Sequence, residues 1–228
     1  MNHLAEELMH ELTCETVLII PVLGGIEVLE SVAVTWVIMV ILLIASILLT
    51  WDLKVENISK KQLILETAVV GLQDMIEGII GEHGKKFVPY LATVLIFLGI
   101  ANTSALFGFK PPTKDLNVTL GLAIMSIVLT EVAKFQKKGP RKFFKSFAEP
   151  VAVVTPINIL EIFIRPLSLC MRLFGNVLGA FVVMELIKII IPVGIPVPFS
   201  LYFDIFDGLI QAYVFVFLTS LFIKEAIE

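Results

Sequence analysis

The stretch Pro156–Ile191, PINILEIFIRPLSLCMRLFGNVLGAFVVMELIKIII, decides the fold. It is an apolar run of about 35 residues, which as one helix would measure roughly 50 Å at 1.5 Å per residue. About 20 residues suffice to cross a hydrocarbon core of about 30 Å, so the run must tilt or kink. Pro166, which lacks a backbone donor, is the candidate kink. At about 100° per residue, Glu161, Arg165, Ser168, Arg172, Asn176 and Gly179 fall along one stripe, with Leu, Ile, Val and Phe opposite. Arg172 lies near the middle of the run, too far from either end to snorkel easily, and its guanidinium cannot shed its proton. A charge inside a span costs between about 3 and 17 kcal/mol, so it needs a reason. The bland reason is an acidic neighbour that ties two helices together; the functional one, favoured here, is a fixed positive charge held at mid-depth for ion chemistry.

Working outward, the chain offers further spans. Ser31–Trp51 is apolar and is followed by Lys54, Lys60 and Lys61, which by the positive-inside rule mark the cytoplasmic side and put the acidic N-terminus outside. Residues 60–83 are broken by Glu66, Gln73, Asp74, Glu77 and Glu82 and read as an amphipathic helix at the interface. Phe87–Phe109 leads outward to Pro111 and Pro112; Leu116–Phe135 returns inward to KFQKKGPRKFFK, the strongest positive cluster, read as a cytoplasmic loop. After residues 156–191, the segment 199–223 ends at Lys224, inside. The expected organisation is one membrane domain, 1–228, with an external segment 1–30, spans at 31–51, 87–109, 116–135, 156–191 and 199–223, and the interfacial helix at 60–83.

Composition agrees. Of 228 residues, 57% are hydrophobic and 17% charged, with mean hydropathy +0.95, a balance suited to a bilayer rather than to a water-facing surface. A net charge of −4 without a concentrated basic face argues against nucleic-acid binding. The acidic start lacks the basic region of a cleaved signal and reads as mature protein. Cys14 and Cys170 are far apart and have no metal-ligand spacing. HELTC (His10–Cys14) lacks the second histidine of a zinc-protease helix, and GIIGEHGKK has the wrong glycine spacing for a phosphate loop. No catalytic constellation, cofactor site or metal site is expected.

The last span carries Asp204, Asp207 and Gln211 at i, i+3 and i+7, which predicts one shared face in its outer half. Glu185, with Lys188 three residues on, occupies the outer part of the preceding helix. These carboxylates read either as the lining of a water-filled vestibule or, more plainly, as a salt bridge (Glu185 with Lys188) and a helix-start cap (Asp204). Asn102, Thr103 and Ser104 suit hydrogen bonding between helices.

RPLSLCMRLFGNVLG (Arg165–Gly179) resembles the signature of subunit a of F-type ATP synthases, in which an arginine precedes LFGN. PTKDLNVT (Pro112–Thr119) resembles that family's PTxDxNxT block, and LIQAYVFVFLT (Leu209–Thr219) its LQAFIF-type motif; the resemblance runs from Phe87 to the end. It implies an all-α membrane protein of five transmembrane helices plus an amphipathic interfacial helix, the last two spans long and tilted as a hairpin against a rotor ring. It implies a non-catalytic stator subunit in a bacterial inner membrane, N-terminus outside and C-terminus cytoplasmic. Two offset half-channels would load and unload H⁺ or Na⁺ on a ring of carboxylate-bearing subunits. Its partners would be the c-ring, the peripheral-stalk subunit b, the rest of the complex and membrane lipids. By motif position Arg172 is the family's essential arginine, with Asn176, Gln211 and Asn102 at other family positions. Glu161 and Ser168 join the ion-translocation candidates from the polar stripe. The family usually places an acidic group nine residues after the arginine, where this chain has Phe181; Glu185, one turn on, and Asp204, where some members have histidine, could together replace it. A self-contained secondary transporter or channel is the rival reading, and a structural scaffold the third.

Overall fold

The computed structural model describes residues 16–20, 26–55, 58–146, 155–191, 194 and 196–227. His10–Cys14 and the rest of the first 15 residues lie outside them. A short antiparallel hairpin, β1 (Thr16–Ile20) and β2 (Ile26–Leu29), opens the described chain, with Thr16 paired to Leu29 and Ile20 to Ile26. The elements after it are helical, and five helical stretches are long and apolar enough to cross a membrane. The chain is an all-α membrane protein with one small hairpin, which the external-segment reading did not foresee.

The first helix, α1 (Glu30–Thr50), starts with a carboxylate at the positive end of its dipole and shows nearly all of its apolar surface, with Ser31 and Ile38 its buried residues. A helix apolar all round and open all round suits hydrocarbon. The second, α2 (Lys60–Ile80), is capped by Ser59, whose Oγ accepts from Gln62 N at 3.2 Å, and ends at Gly81, whose φ of 78° a side chain would resist. A 3-10 segment, Glu82–Phe87, leads into α3 (Val88–Thr103). Asp115 then caps α4 (Leu116–Ser146), accepting from Asn117 N at 2.9 Å.

The basic stretch after Phe135, expected as a loop, is helix instead. Lysine, glutamine and arginine are good helix formers, and the ladder is interrupted only at Gly139, with φ 71°, next to Pro140. The long run becomes α5 (Thr155–Ile190), with Pro166 inside it. After Pro196–Ser200 (α6), the chain passes through a π-helical turn, Leu201–Asp207, before α7 (Gly208–Ile227).

Contacts group into two compact units. The first comprises the described residues up to Ile38, Leu98–Ala123 and Leu167–Tyr213. Its apolar core includes Leu98, Leu122, Leu169, Leu173 and Val177. Polar ties run through it: Ser31 Oγ donates to Asp115 Oδ2, Lys110 lies 3.8 Å from Glu30, and Thr119 meets the buried Cys170 thiol at 3.5 Å. The second comprises Met39–Phe97, Ile124–Pro166 and Val214–Glu228, around Ile76, Ile80, Leu91, Phe215 and Ile223. There Lys86 bonds Gln136, and Arg165 bonds both Glu161 (2.8 Å) and Glu225 (3.0 Å) while lying over the Phe222 ring.

Asp115 therefore does two things, capping α4 and anchoring Ser31 at the start of α1. Asp115→Ala is expected to lower stability by about 1–2 kcal/mol for the cap alone, and further through Ser31. Thermal unfolding in detergent checks it, with Ser31→Ala giving the smaller loss.

Candidate functional site: an acid-lined cavity and an unpaired arginine

The first unit holds a cavity of about 530 Å³. Its walls come from three pieces of chain: residues around Asn102 and Lys110, the Phe181–Lys188 part of α5, and the run from Pro196 to Gly208. Glu185, Asp204 and Asp207 all face it, with Lys188 as the counter-charge. The Lys188 ammonium donates to Glu185 Oε1 at 2.7 Å, the i, i+3 bridge that the plainer reading expects, yet the pair still lines the cavity. Ser200 Oγ donates to Asp204 Oδ2 at 2.5 Å. Asp204 thus sits inside the π turn, one turn past Ser200, and does not cap a helix start. Asp207 has no hydrogen-bond partner among the described residues.

The π turn also corrects the expected shared face of Asp204, Asp207 and Gln211. Gly208 N–H reaches back to Phe203 O, an i→i+5 bond that widens the turn and shifts the register of α7 behind it. Asp204 and Asp207 remain on the cavity; Gln211 does not line it. It is 3% exposed, and its Oε1 accepts from Asn176 Nδ2 at 2.7 Å, tying α5 to α7.

Asn102, 4% exposed, holds the cavity's floor together. Its Nδ2 donates to Gly208 O at 2.9 Å and its Oδ1 accepts from Thr113 Oγ1 at 2.7 Å. Both ends of the amide are engaged inside an apolar surround, where leaving either unmade costs about 1–3 kcal/mol. Gly208 allows the close approach: a Cβ there would stand 3.0 Å from Asn102 Cβ, so Asn102 would have to give by a few tenths of an ångström.

Arg172 is not in the cavity lining. On α5 the residues Leu169, Cys170, Leu173 and Val177 are buried, whereas Ser168, Arg172, Asn176 and Gly179 are exposed. Among the described residues nothing pairs with the Arg172 guanidinium, so the helix-tying ion pair is not formed. Arg165, seven residues earlier, is by contrast fully engaged with Glu161, Glu225 and Phe222.

Two buried charges in PTKDLNVT were not singled out from the sequence. Asp115 is the cap of α4; Lys114, 5% exposed, lies 4.4 Å above the Phe181 ring. Adjacent opposite charges in a turn between two spans were the available signal. Among the described residues no group of three His, Cys, Asp or Glu gathers to hold a metal ion.

A family model described as ATP synthase A chain matches residues 32–224, which include the cavity, Arg172 and the Asn102 bracket. The chain belongs to the ATP synthase A chain family. It is 36% identical over 208 residues to ATP synthase subunit a of Moorella thermoacetica, covering 90% of this chain and 94% of that one. To the protein named ATP synthase subunit a, sodium ion specific, of Propionigenium modestum it is 34% identical over 221 residues, with 89% and 75% covered. To subunit a of Geotalea daltonii it is 34% identical over 204 residues, with 87% and 88% covered. Family membership and the five apolar helices make the chain a multi-pass membrane subunit of the ATP synthase complex, on its ion-translocating side.

The Asn102 bracket generates a prediction. Gly208→Ala must displace Asn102 and weaken both of its bonds, lowering stability by about 1–3 kcal/mol. Thermal release of the subunit from the assembled complex measures it.

Proposed function

We propose that this chain is the non-catalytic, ion-conducting stator of the synthase, with Arg172 as the charge that couples ion flow to rotation. The observation that carries the proposal is the guanidinium itself, exposed on α5 and without a partner among the described residues. A permanent cation unpaired among the described residues of an apolar helix calls for an anion beyond them, and a ring of subunits each bearing one carboxylate supplies it. An arriving carboxylate gives up its ion beside Arg172, because the fixed charge stabilises the ionised acid and repels the bound cation. The same charge blocks a direct leak between an outer and an inner half-channel. Each charge crossing 100 mV delivers about 2.3 kcal/mol, so several must pass per nucleotide made, and the tightness of that block sets the coupling.

The acid-lined cavity supports an outer entry route. Phe181, at the family's usual acidic position, lines it together with Glu185 and Asp204, which take over that role, and Asp207 extends the carboxylate path. Asn176 and Gln211 hold α5 and α7 in register beside the arginine, Asn102 secures the cavity wall, and Glu161 and Ser168 continue the polar face toward the ring. The lysines after α1 and within the basic end of α4 orient the chain with its N-terminus outside and its C-terminus inside a bacterial cell membrane. The c-ring, the stalk subunit b and lipid are its neighbours.

In the assembled complex reconstituted into liposomes, Arg172→Ala is expected to abolish ATP-driven ion pumping and synthesis; normal coupled pumping would overturn the proposal. Arg172→Lys should fall well below wild type, since an ammonium lacks the planar fork and deprotonates more readily. For the outer route, Glu185→Gln and Asp204→Asn should each slow pumping and together stop it. A double variant as fast as wild type would remove both from the ion path.

A further inference from the structure

The cavity of the first unit is acidic, yet an ammonium already stands on one of its carboxylates. Glu185, Asp204 and Asp207 line it, and so do Lys110 and Lys188. Lys110 lies 3.8 Å from Glu30, the first residue of α1. Lys188 is set differently, among the carboxylates themselves. Its Nζ donates to Glu185 Oε1 at 2.7 Å, and its charge is felt at Asp204 as well. The Glu185 side chain is 18% exposed and that of Lys188 52%, so the carboxylate is the more enclosed member of the pair. A carboxylate that accepts at one oxygen keeps lone pairs on the other.

As a support for α5 the bridge is minor, because an i, i+3 ion pair with so exposed a lysine contributes little to a helix. Its effect on ions is larger. Carboxylates gathered in one cleft focus dissolved cations, and the strongest point for a cation is against the enclosed carboxylate, where Lys188 sits. Fixed charge alone would oppose a metal cation and a proton alike. What separates the two is the oxygen that Lys188 has taken. A cation such as Na⁺ must replace its hydration shell with several protein oxygens, and it must do so beside an ammonium that already holds one of them. A proton needs a single lone pair and almost no room, and the second oxygen of Glu185 provides the lone pair.

Resting on the outer-route reading of the cavity, we propose that Lys188 is a specificity-determining residue of that route: a tethered cation that keeps Na⁺ and other metal cations off Glu185 while leaving it open to protons. Without the ammonium, Glu185 and the cavity's other carboxylates become ligands that a metal cation can gather, and an occupied Glu185 no longer passes protons.

The test uses the assembled complex in liposomes, with ATP supplied from outside so that the outer cavity faces the lumen. Vesicles are loaded with NaCl or with choline chloride at equal ionic strength, and proton pumping is compared between the two. Wild type should pump equally fast over either salt and take up no radiolabelled Na⁺. At about 100 mM NaCl in the lumen, Lys188→Met is expected to lose about half or more of its sodium-free rate, the inhibition of a site whose Kd lies at or below that concentration. Lys188→Arg, which keeps the charge, should be as indifferent to Na⁺ as wild type. Lys188→Gln repeats the test if Lys188→Met does not assemble. ATP-driven Na⁺ uptake by wild type would overturn the proposal, as would a neutral variant indifferent to lumenal Na⁺, or one inhibited only by NaCl added outside. The outer-route reading fails separately. If Glu185→Gln with Asp204→Asn pumps at full speed, the route itself falls; if that pair stops pumping while the neutral Lys188 variant ignores Na⁺, only the role of Lys188 falls.

Discussion

A bilayer core offers no water to hydrogen-bond, and that constraint orders this molecule. Each polar group that enters it must be satisfied from within the protein or left at high cost. The backbone responds by being helical almost throughout. Side chains respond by pairing: Asn102 with Gly208 and Thr113, Gln211 with Asn176, Asp204 with Ser200, Glu185 with Lys188. Against that background an unsatisfied group carries information. Arg165 and Arg172 lie two turns apart on one helix, yet Arg165 has two carboxylates and an aromatic face, while Arg172 has none among the described residues. Solvation physics alone would treat them alike. Arg165 ties α5 to α7, and the free guanidinium of Arg172 among the described residues is what the proposed coupling role draws on.

The π turn at Leu201–Asp207 shows how the first unit makes room for a cavity. An i→i+5 turn is wider than an α turn and less well packed along its axis, so it is retained where a fold has a use for it. Here it carries Asp204 and Asp207 on the cavity side and hands over to α7 at Gly208, the residue whose carbonyl Asn102 grips. The cavity floor and the start of the last helix are thus fixed by one amide. A side chain at Gly208 would press on Asn102 from the other side, so the bare backbone and the asparagine are a matched pair.

Much of this was legible in the sequence, and the reasons are specific. A mid-run arginine followed by LFGN and apolar stretches of spanning length are strong signals because each is costly to place otherwise. The polar stripe through Arg172 was visible from the 3.6-residue period, since α5 is regular there. The same period misled at Asp204, Asp207 and Gln211, because it presumes an α-helix and nothing in LYFDIFD announces a π turn. The helical continuation past Phe135 was hidden by reading charge as loop, although lysine and arginine favour helix and Gly139 with Pro140 mark only a break. The hairpin Thr16–Leu29 escaped because TVLII and IEVL are short, and short apolar runs do not distinguish strand from helix. Partner choice, such as Asn102 for Gly208 across 106 residues of sequence, is a tertiary fact that no local pattern encodes.

The place of Phe181 follows from the charges around it. The Lys114 ammonium, nearly buried, lies 4.4 Å above that ring. A carboxylate at position 181 would stand in the range where a lysine holds an anion as an ion pair, and in a low-dielectric wall such a pair does not readily release or accept an ion. A phenyl ring satisfies the ammonium through its face and carries no ion of its own. In the proposed outer route the exchangeable acid then sits beyond Lys114. Glu185 is one helical turn further along α5, and its counter-charge is Lys188, whose side chain is 52% exposed. An ion pair with so exposed a partner is weaker than one closed inside the wall, which suits the exchange role proposed for Glu185.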